Sequence, residues 1–343
     1  MQKSLYQHAV PVTFGRKVIA SLTASLIGVS GMLTISVAHA EDRSWPQKPI
    51  RLIVPAAAGG GSDNIARTWA DCIGTQLKQP IIVENRGGAF GLPAIQALKQ
   101  SETDGYTLFF SGMSHFSITP YIYANQPYFP EKDFEPISLL VTAPYLLVTN
   151  PDSKISTFAD IPEVSKTVEG GLNFSSPGNG SPAHLMQAIL SQKMNTQFTH
   201  VPFQGEPAGL TALAGNQIDL GLFVASTALP QAMAGQVKPL AVFGEQRMAE
   251  LPDVPTISEV LDAKELSHGS WAAIVAKSGT PSNIVNKIHE KTQVCLQDPS
   301  ISKRYQDAKQ VVVLAPVEDV MKYAARDTAM WKPLIQSLGV RND

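Results

Sequence analysis

Cysteine and clustered charge are both scarce in this chain of 343 residues. Only two cysteines occur, Cys72 and Cys295, which excludes zinc fingers, cysteine-held iron–sulfur clusters and any CxxC redox site. The 27 Lys and Arg residues are balanced by 29 Asp and Glu residues, whereas nucleic acids and anionic membranes are bound by clustered bases. The composition therefore argues against a nucleic-acid partner and against a membrane-surface partner.

Motifs for catalysis and nucleotide binding are missing as well. The chain has no GxSxG nucleophile elbow and no Walker lysine after its glycine-rich stretches. The five histidines beyond residue 40 show neither HxxxH spacing nor an adjacent carboxylate pair; they are His115, His184, His200, His268 and His289. Residues 178–183 match the dinucleotide fingerprint GxGxxA, but the fingerprint also wants an acid about 20 residues later, and residues 198–204 contain none. We expect no catalytic residue, no metal and no cofactor.

One long apolar run is present, and it lies at the amino terminus. Residues 1–40 combine a basic front ending at Arg16 and Lys17, an apolar stretch and the small-x-small ending Ala38-His39-Ala40. This layout is typical of a cleavable signal peptide, with an uncleaved membrane anchor as the alternative. We predict cleavage before Glu41, export to the periplasm and a soluble, monomeric mature protein.

Export would place the two cysteines in a compartment where disulfides form. A bond requires the two Cα atoms to lie within about 7 Å, and the sequence does not show whether they do. A Cys72–Cys295 disulfide therefore stays open at this point. The alternative is two separate helical cysteines, of which at least one faces a core.

Strands alternate with helices along the mature chain. IRLIVP, from Ile50, is typical of a buried strand, and the following helix carries Ile65, Trp69, Ile73 and Leu77 at spacings of four. Such alternation predicts parallel βαβ units and an α/β fold. Because some 300 residues exceed what one sheet usually carries, we predict two lobes. Lobe 1 comprises residues 41–144 plus 251–343, including terminal helices at 281–296 and 318–338, and lobe 2 comprises residues 145–250.

Two glycine-rich loops each join a predicted strand to a predicted helix. Loop 1 is AAAGGGSD, residues 56–63, and loop 2 is SSPGNGS, residues 175–181. Glycine lets a backbone approach a ligand closely, and the free N–H groups of a helix's first turn favour an anion. A tight turn without a ligand explains loop 1 equally well. Asp63 suits a helix-capping or first-turn acid. Phe203 and Phe223 end strands where a two-lobed binder would face its cleft; core packing is the default interpretation of each, and if they line the cleft, its wall is apolar.

The order of these motifs resembles the Bug-type substrate-binding proteins of tripartite tricarboxylate transporters. The resemblance covers nearly the whole mature chain and includes WPQKPIRLIVP, GGGSDNIAR, QPIIVENRGGAFG, DGYTLFFSG, LNFSSPGNGSPAHL, HVPFQG, ALAGNQIDL and LPDVPTISE. It implies a type II periplasmic binding protein fold, in which two α/β lobes close over a ligand cleft. It also implies a small-molecule carboxylate as ligand and the transporter's membrane subunits as partner.

The resemblance places the ligand carboxylate between the two glycine loops. The predicted ligand-binding residues are Ala57, Ala58, Gly59, Gly60, Ser62, Asp63, Ser111, Met113, Ser114, Ser175, Ser176, Gly178, Asn179, Gly180, Ser181, Phe203, Gln204, Phe223, Val224 and Ser226. An exported hydrolase-like enzyme and a ligand sensor that docks on a signalling receptor remain as alternatives on the same fold.

The chain departs from the family pattern at two places. Many members carry Asp-Asn where this chain has Phe223 and Val224, and the usual PFPPGGG is here PAAAGGG, residues 55–61. Because the missing acid would be the natural partner of a ligand ammonium group, the departure favours a carboxylate without an amine. Aromatic acids and dicarboxylates fall within that class.

Overall fold

Two mixed β-sheets, each covered by helices, carry the fold of the computed structural model, which describes residues 45–341. The predicted signal peptide lies outside the described residues. Within residues 45–341, no helix combines the length and the apolar character needed to cross a membrane.

The described chain contains eleven strands and twelve α-helices. The strands are β1 (Ile50–Val54), β2 (Ile81–Asn85), β3 (Thr107–Gly112), β4 (Phe134–Ala143), β5 (Tyr145–Thr149), β6 (Leu172–Ser176), β7 (Phe198–Pro202), β8 (Leu220–Val224), β9 (Lys238–Phe243), β10 (Ser270–Lys277) and β11 (Val311–Val312). The helices are α1 (Gly61–Leu77), α2 (Leu92–Lys99), α3 (Met113–Ser117), α4 (Pro130–Asp133), α5 (Ile161–Ser165), α6 (Pro182–Met194), α7 (Glu206–Ala214), α8 (Ala225–Met233), α9 (Ile257–Val260), α10 (Ser282–Gln297), α11 (Pro299–Asp307) and α12 (Asp319–Leu338).

The chain crosses between the two sheets twice, and the strand order places the two crossings side by side. The first sheet has the order β11-β4-β10-β3-β1-β2 and the second has the order β7-β6-β8-β5-β9. The chain passes from the first sheet to the second at Pro144, between β4 and β5, and returns between β9 and β10. Below, lobe 1 and lobe 2 denote these two sheets with the helices that cover them.

Both sheets are mixed rather than wholly parallel, so the expectation of parallel βαβ units holds for only part of each. Strands β1, β2 and β3 are mutually parallel, as are β6, β7 and β8. Strand β10 runs antiparallel to β3 and β4, and β5 runs antiparallel to β8 and β9. Strands β5 and β10 are the first strands that the chain forms after each crossing, and β11 pairs antiparallel with β4 at the edge of the first sheet.

Each sheet has a point where its connections change direction. From β1 the chain goes to β2 on one side and then to β3 on the other, and from β6 it goes to β7 on one side and then to β8 on the other. Open α/β sheets bind ligands outside the carboxyl ends of the strands at such a switch point. The expected crevices therefore lie between the loops after β1 and β3 in lobe 1, and between those after β6 and β8 in lobe 2.

Helices α1 and α10 are joined twice along one line of contact. The indole Nε1 of Trp69 donates a hydrogen bond of 3.0 Å to Thr292 Oγ1, and three residues further along both helices Cys72 and Cys295 form a disulfide. Their Cα atoms are 5.9 Å apart, within the range that a disulfide needs. Because α1 begins at loop 1, these two links fix the helix that presents that loop.

Candidate functional site

Loop 1 presents an open helix N-terminus at the lobe 1 switch point. It connects β1 to α1, and residues 57–61 are exposed. Gly60, the N-cap residue of α1, has no side chain that could accept from the first-turn N–H groups. The N–H groups of Gly61 and Ser62 have no acceptor within the helix. The loop therefore offers donors and the positive end of a helix dipole to a small anion.

The buried carboxylate of Asp63 holds loop 1 in shape by accepting hydrogen bonds. It is 1% exposed, and its Oδ2 accepts from the Gly59 N–H at 2.8 Å and from Arg67 Nε at 2.8 Å. Asn85, at the end of β2, donates to Oδ1 at 2.9 Å and to the Ala56 carbonyl at 3.1 Å. The carboxylate of Asp63 is therefore used within the protein, where it shapes the loop.

The charge of Asp63 does not prevent an anion from binding above it. Burial raises the pKa of Asp63, but the hydrogen bonds from Arg67, Gly59 and Asn85 outweigh burial and hold this pKa below its ordinary value. The carboxylate is thus ionised at neutral pH and paired with the guanidinium of Arg67. Because the pair is neutral as a whole, the loop keeps the attraction of its amide groups for a carboxylate.

Loop 2 is organised differently, because most of its amide groups are bonded inside the loop. The Gly178 N–H donates to Ser176 Oγ at 3.1 Å, and the Ser181 N–H donates to the Gly178 carbonyl at 3.2 Å. The Gly180 N–H donates to His184 Nδ1 at 3.0 Å, and the His184 N–H donates to Ser181 Oγ. Loop 2 is therefore preformed and has fewer free donors than loop 1.

A stacked histidine pair supports loop 2. The rings of His184 and His200 lie 3.8 Å apart with an angle of 7° between their planes, and His200 Nε2 lies 2.6 Å from Ser176 Oγ. Burial lowers the pKa of His184, and burial together with the charge of His184 lowers the pKa of His200 to about 4. Both rings are therefore neutral at neutral pH, and His184 can accept from loop 2 while stacked on His200.

The predicted ligand-binding residues divide into accessible and buried groups. Those at least partly accessible are Ala57, Ala58, Gly59, Gly60, Ser62, Ser114, Gly178, Asn179, Phe203, Gln204, Val224 and Ser226. Those that are buried are Asp63, Ser111, Met113, Ser175, Ser176, Gly180, Ser181 and Phe223. The accessible residues follow β1, β3, β6, β7 and β8, whose carboxyl ends form the two crevices.

The prediction that Phe223 lines the cleft is wrong, and Ser175 is likewise turned away from it. Phe223 and Ser175 are 0% exposed. A β-carbon added to Gly209 of α7 would lie 2.2 Å from Ser175 Oγ and 3.4 Å from the ring of Phe223. Both side chains thus lie under α7, because alternate strand residues point to opposite faces of a sheet. For Phe223, core packing is therefore the interpretation that the structure supports.

Sequence reasoning missed the carboxylate of Glu206, the first residue of α7. Its Oε1 accepts from the Val224 N–H at 3.1 Å, and its Oε2 accepts from Thr227 Oγ1 at 2.6 Å. Burial raises the pKa of Glu206 above its ordinary value, although the bonds from Thr227 and Val224 lower it. The only signal in the sequence was an acid one residue after the glycine of HVPFQG.

The chain matches known proteins over most of its length. Residues 65–340 match the model of the family described as "Tripartite tricarboxylate transporter family receptor". A UPF0065 protein of Bordetella pertussis is 30% identical over 321 residues, which cover 94% of this chain and 98% of the relative. The protein BugT of the same organism is 27% identical and covers 87% of this chain and 91% of its own.

Solved structures show the same architecture. The periplasmic binding protein BugD superposes with a TM-score of 0.76 at 29% identity, covering 87% of this chain and all of BugD. MatC of Rhodopseudomonas palustris, solved with bound malate, superposes with a TM-score of 0.75 at 27% identity, covering 84% of this chain and 99% of MatC. The predicted α/β fold of a two-lobed periplasmic binding protein is therefore confirmed.

Proposed function

The chain belongs to the tripartite tricarboxylate transporter receptor family, and from that membership and the geometry above we propose that it captures a small carboxylate between its two lobes. This family comprises transporter receptors that bind solutes, so the protein is a solute-binding protein and not an enzyme. Family membership also implies the periplasm as its location. Residues 1–40 would direct it there as a cleaved signal peptide.

The observation that carries the proposal is the open N-terminus of α1 at the lobe 1 switch point. A ligand carboxylate accepts hydrogen bonds from the first-turn N–H groups at loop 1, and residues after β3 complete that side of the crevice. Loop 2 faces the ligand from lobe 2 as a preformed rim, with Asn179 as its exposed polar side chain. Fixed amide dipoles act at short range, so a protein with balanced charge can still bind an anion.

The lobes would close when both have engaged the ligand, and the closed form would dock as a monomer on the membrane subunits of a tripartite transporter. If the protein is instead a ligand sensor, its closed form would dock on a signalling receptor and would use the same ligand site. The relative MatC, solved with malate, supports a carboxylate ligand. No cofactor is required for this cycle.

A thermal-shift screen of residues 41–343 tests the proposal. The panel contains aliphatic and aromatic monocarboxylates, dicarboxylates, amino acids and NAD. A ligand at 100 times its dissociation constant stabilises the folded state by about 2.7 kcal/mol, which raises the melting temperature by several degrees. Stabilisation by carboxylates supports the proposal. Stabilisation by NAD alone, or by nothing once the protein is shown to be ligand-free, contradicts it.

A further inference from the structure

The carboxylate of Glu206 lies at the amino-terminal end of α8, where the helix dipole favours an anion. Val224 is the N-cap residue of α8, and Thr227 lies in the first turn of that helix. The Val224 N–H and the Thr227 hydroxyl both donate to the carboxylate of Glu206. The first turn of a nine-residue helix thus binds a carboxylate that the chain itself supplies from α7.

This carboxylate lies at the lobe 2 crevice. Strand β8 ends at Val224, and β7 is followed by Phe203, Gln204 and Gly205, which lead into Glu206. The ends of β6 and β8 flank the switch point of the second sheet. Glu206 is partly accessible, as are Val224 and Thr227. The two lobes therefore present different chemistry: lobe 1 offers open N–H donors, and lobe 2 offers a carboxylate.

We infer that Glu206 determines ligand specificity by excluding a second carboxylate from the lobe 2 side of the site. This inference rests on the proposed function, since it assumes that one ligand carboxylate binds at loop 1. The ligand is then a monocarboxylate whose opposite end is a hydrogen-bond donor, such as a hydroxyl or an ammonium group. A dicarboxylate would place its second anion against Glu206 at a helix terminus that is already neutralised.

The inference revises an expectation drawn from the sequence. The replacement of Asp-Asn by Phe223 and Val224 favoured a ligand without an amine, because lobe 2 appeared to lose its acid. Glu206 restores an acid at the same place, since its carboxylate is bonded to the Val224 N–H. An ammonium group therefore has an anionic partner in lobe 2.

Calorimetric titration with length-matched ligands tests the inference. The first panel is succinate, 4-hydroxybutanoate and 4-aminobutanoate, and the second is adipate, 6-hydroxyhexanoate and 6-aminohexanoate. Juxtaposed like charges disfavour binding, so the wild-type protein should bind the donor-terminated acid at least about tenfold more tightly than the dicarboxylate of equal length. This ranking is measured on the wild-type protein and does not depend on the folding of any variant.

The variant Glu206→Gln keeps the size of the side chain and removes its charge. It should reduce the preference by about tenfold or reverse it. Glu163→Gln is the matched control, because Glu163 is highly exposed in α5 and is paired with the equally exposed Lys166; its preference should equal that of the wild type. Circular dichroism establishes that each variant is folded.

The failure of this inference can be told apart from the failure of the proposed function. Equal or tighter binding of the dicarboxylates by the wild-type protein, or an unchanged preference in a folded Glu206→Gln variant, overturns the inference while leaving carboxylate binding intact. If no carboxylate of either panel or of the thermal-shift screen binds, the proposed function fails, and the role of Glu206 fails with it.

Discussion

Breaking the disulfide between α1 and α10 should destabilise the protein strongly while leaving its ligand site in place. The bond closes a loop with a sequence separation of 223 residues. The chain-entropy model gives about 5 kcal/mol for such a loop at 25 °C, and measured values for disulfides are typically about 2 to 4 kcal/mol. We therefore expect the free energy of unfolding to fall by about 3 kcal/mol or more.

The native structure should survive this change because a second link remains. The Trp69–Thr292 hydrogen bond lies three residues from the disulfide on both helices, and Cys295 is buried in the surrounding core. The loop 1 backbone is shaped by Asp63 and Asn85, which the substitution does not touch. Carboxylate affinity measured without denaturant should therefore change by less than about twofold.

Urea unfolding of the oxidised protein, the reduced protein and the double variant Cys72→Ala/Cys295→Ala measures the effect. The reduced protein and the variant should share a lower midpoint. Their free energy of unfolding should also fall more steeply with urea concentration, because an unfolded chain without the cross-link exposes more surface. If all three unfold at the same midpoint, the two cysteines do not constrain the unfolded chain and the reasoning is wrong.

Three further predictions concern the loops. Gly60→Val should abolish carboxylate binding, because it adds bulk to loop 1, where the ligand is proposed to bind. It should not unfold the protein, because Gly60 has φ −78° and an added β-carbon would contact only Ala57 O at 3.4 Å. Unchanged affinity in calorimetry would show loop 1 to be only a turn. Asp63→Ala should lower the free energy of unfolding by about 2 kcal/mol, since three donors lose a buried carboxylate; in urea melts Asp63→Asn should lose less. The free energy of unfolding should fall as the pH drops from about 6.5 towards 4. In the folded protein the pKa of His115 and that of His200 are lowered to about 4, so in this range the two histidines take up protons mainly in the unfolded chain, which is thereby favoured. A flat pH profile, or one unaltered in His200→Gln, would contradict this.

The sequence predicted the parts of the fold that are encoded locally. The strand from Ile50 and the helix carrying Trp69 follow from an apolar run and from spacings of four, and both are present. Loop 1 was located from a glycine run between a predicted strand and a predicted helix, and the structure places it between β1 and α1. The antiparallel strands β5, β10 and β11 were missed as such, since strand direction depends on which sheet a chain segment joins.

Contacts between distant segments account for the errors at the site. Phe223 ends a strand beside a loop, and the sequence does not reveal that α7 covers the face to which it points. Glu206 and Val224 are 18 residues apart, and their bond exists because β7 and β8 end at the same edge of the second sheet. The pairing of His184 with His200 has the same origin: one belongs to α6 and the other to β7.

The point at which the chain enters lobe 2 is also the point at which it leaves. Tyr145 and Phe243 are direct neighbours in the pairing of β5 with β9, and a β-carbon added to Gly244 would lie 3.0 Å from Pro144 Cβ. Residues 145–243 therefore form a segment with adjacent ends, inserted between residues 45–144 and 244–341 of the described chain. Because its two ends adjoin, the segment could be replaced by that of another family member at two neighbouring junctions. Loop 1 would be unchanged by such a replacement, because Asp63, Arg67 and Asn85, which hold it, all lie outside the segment.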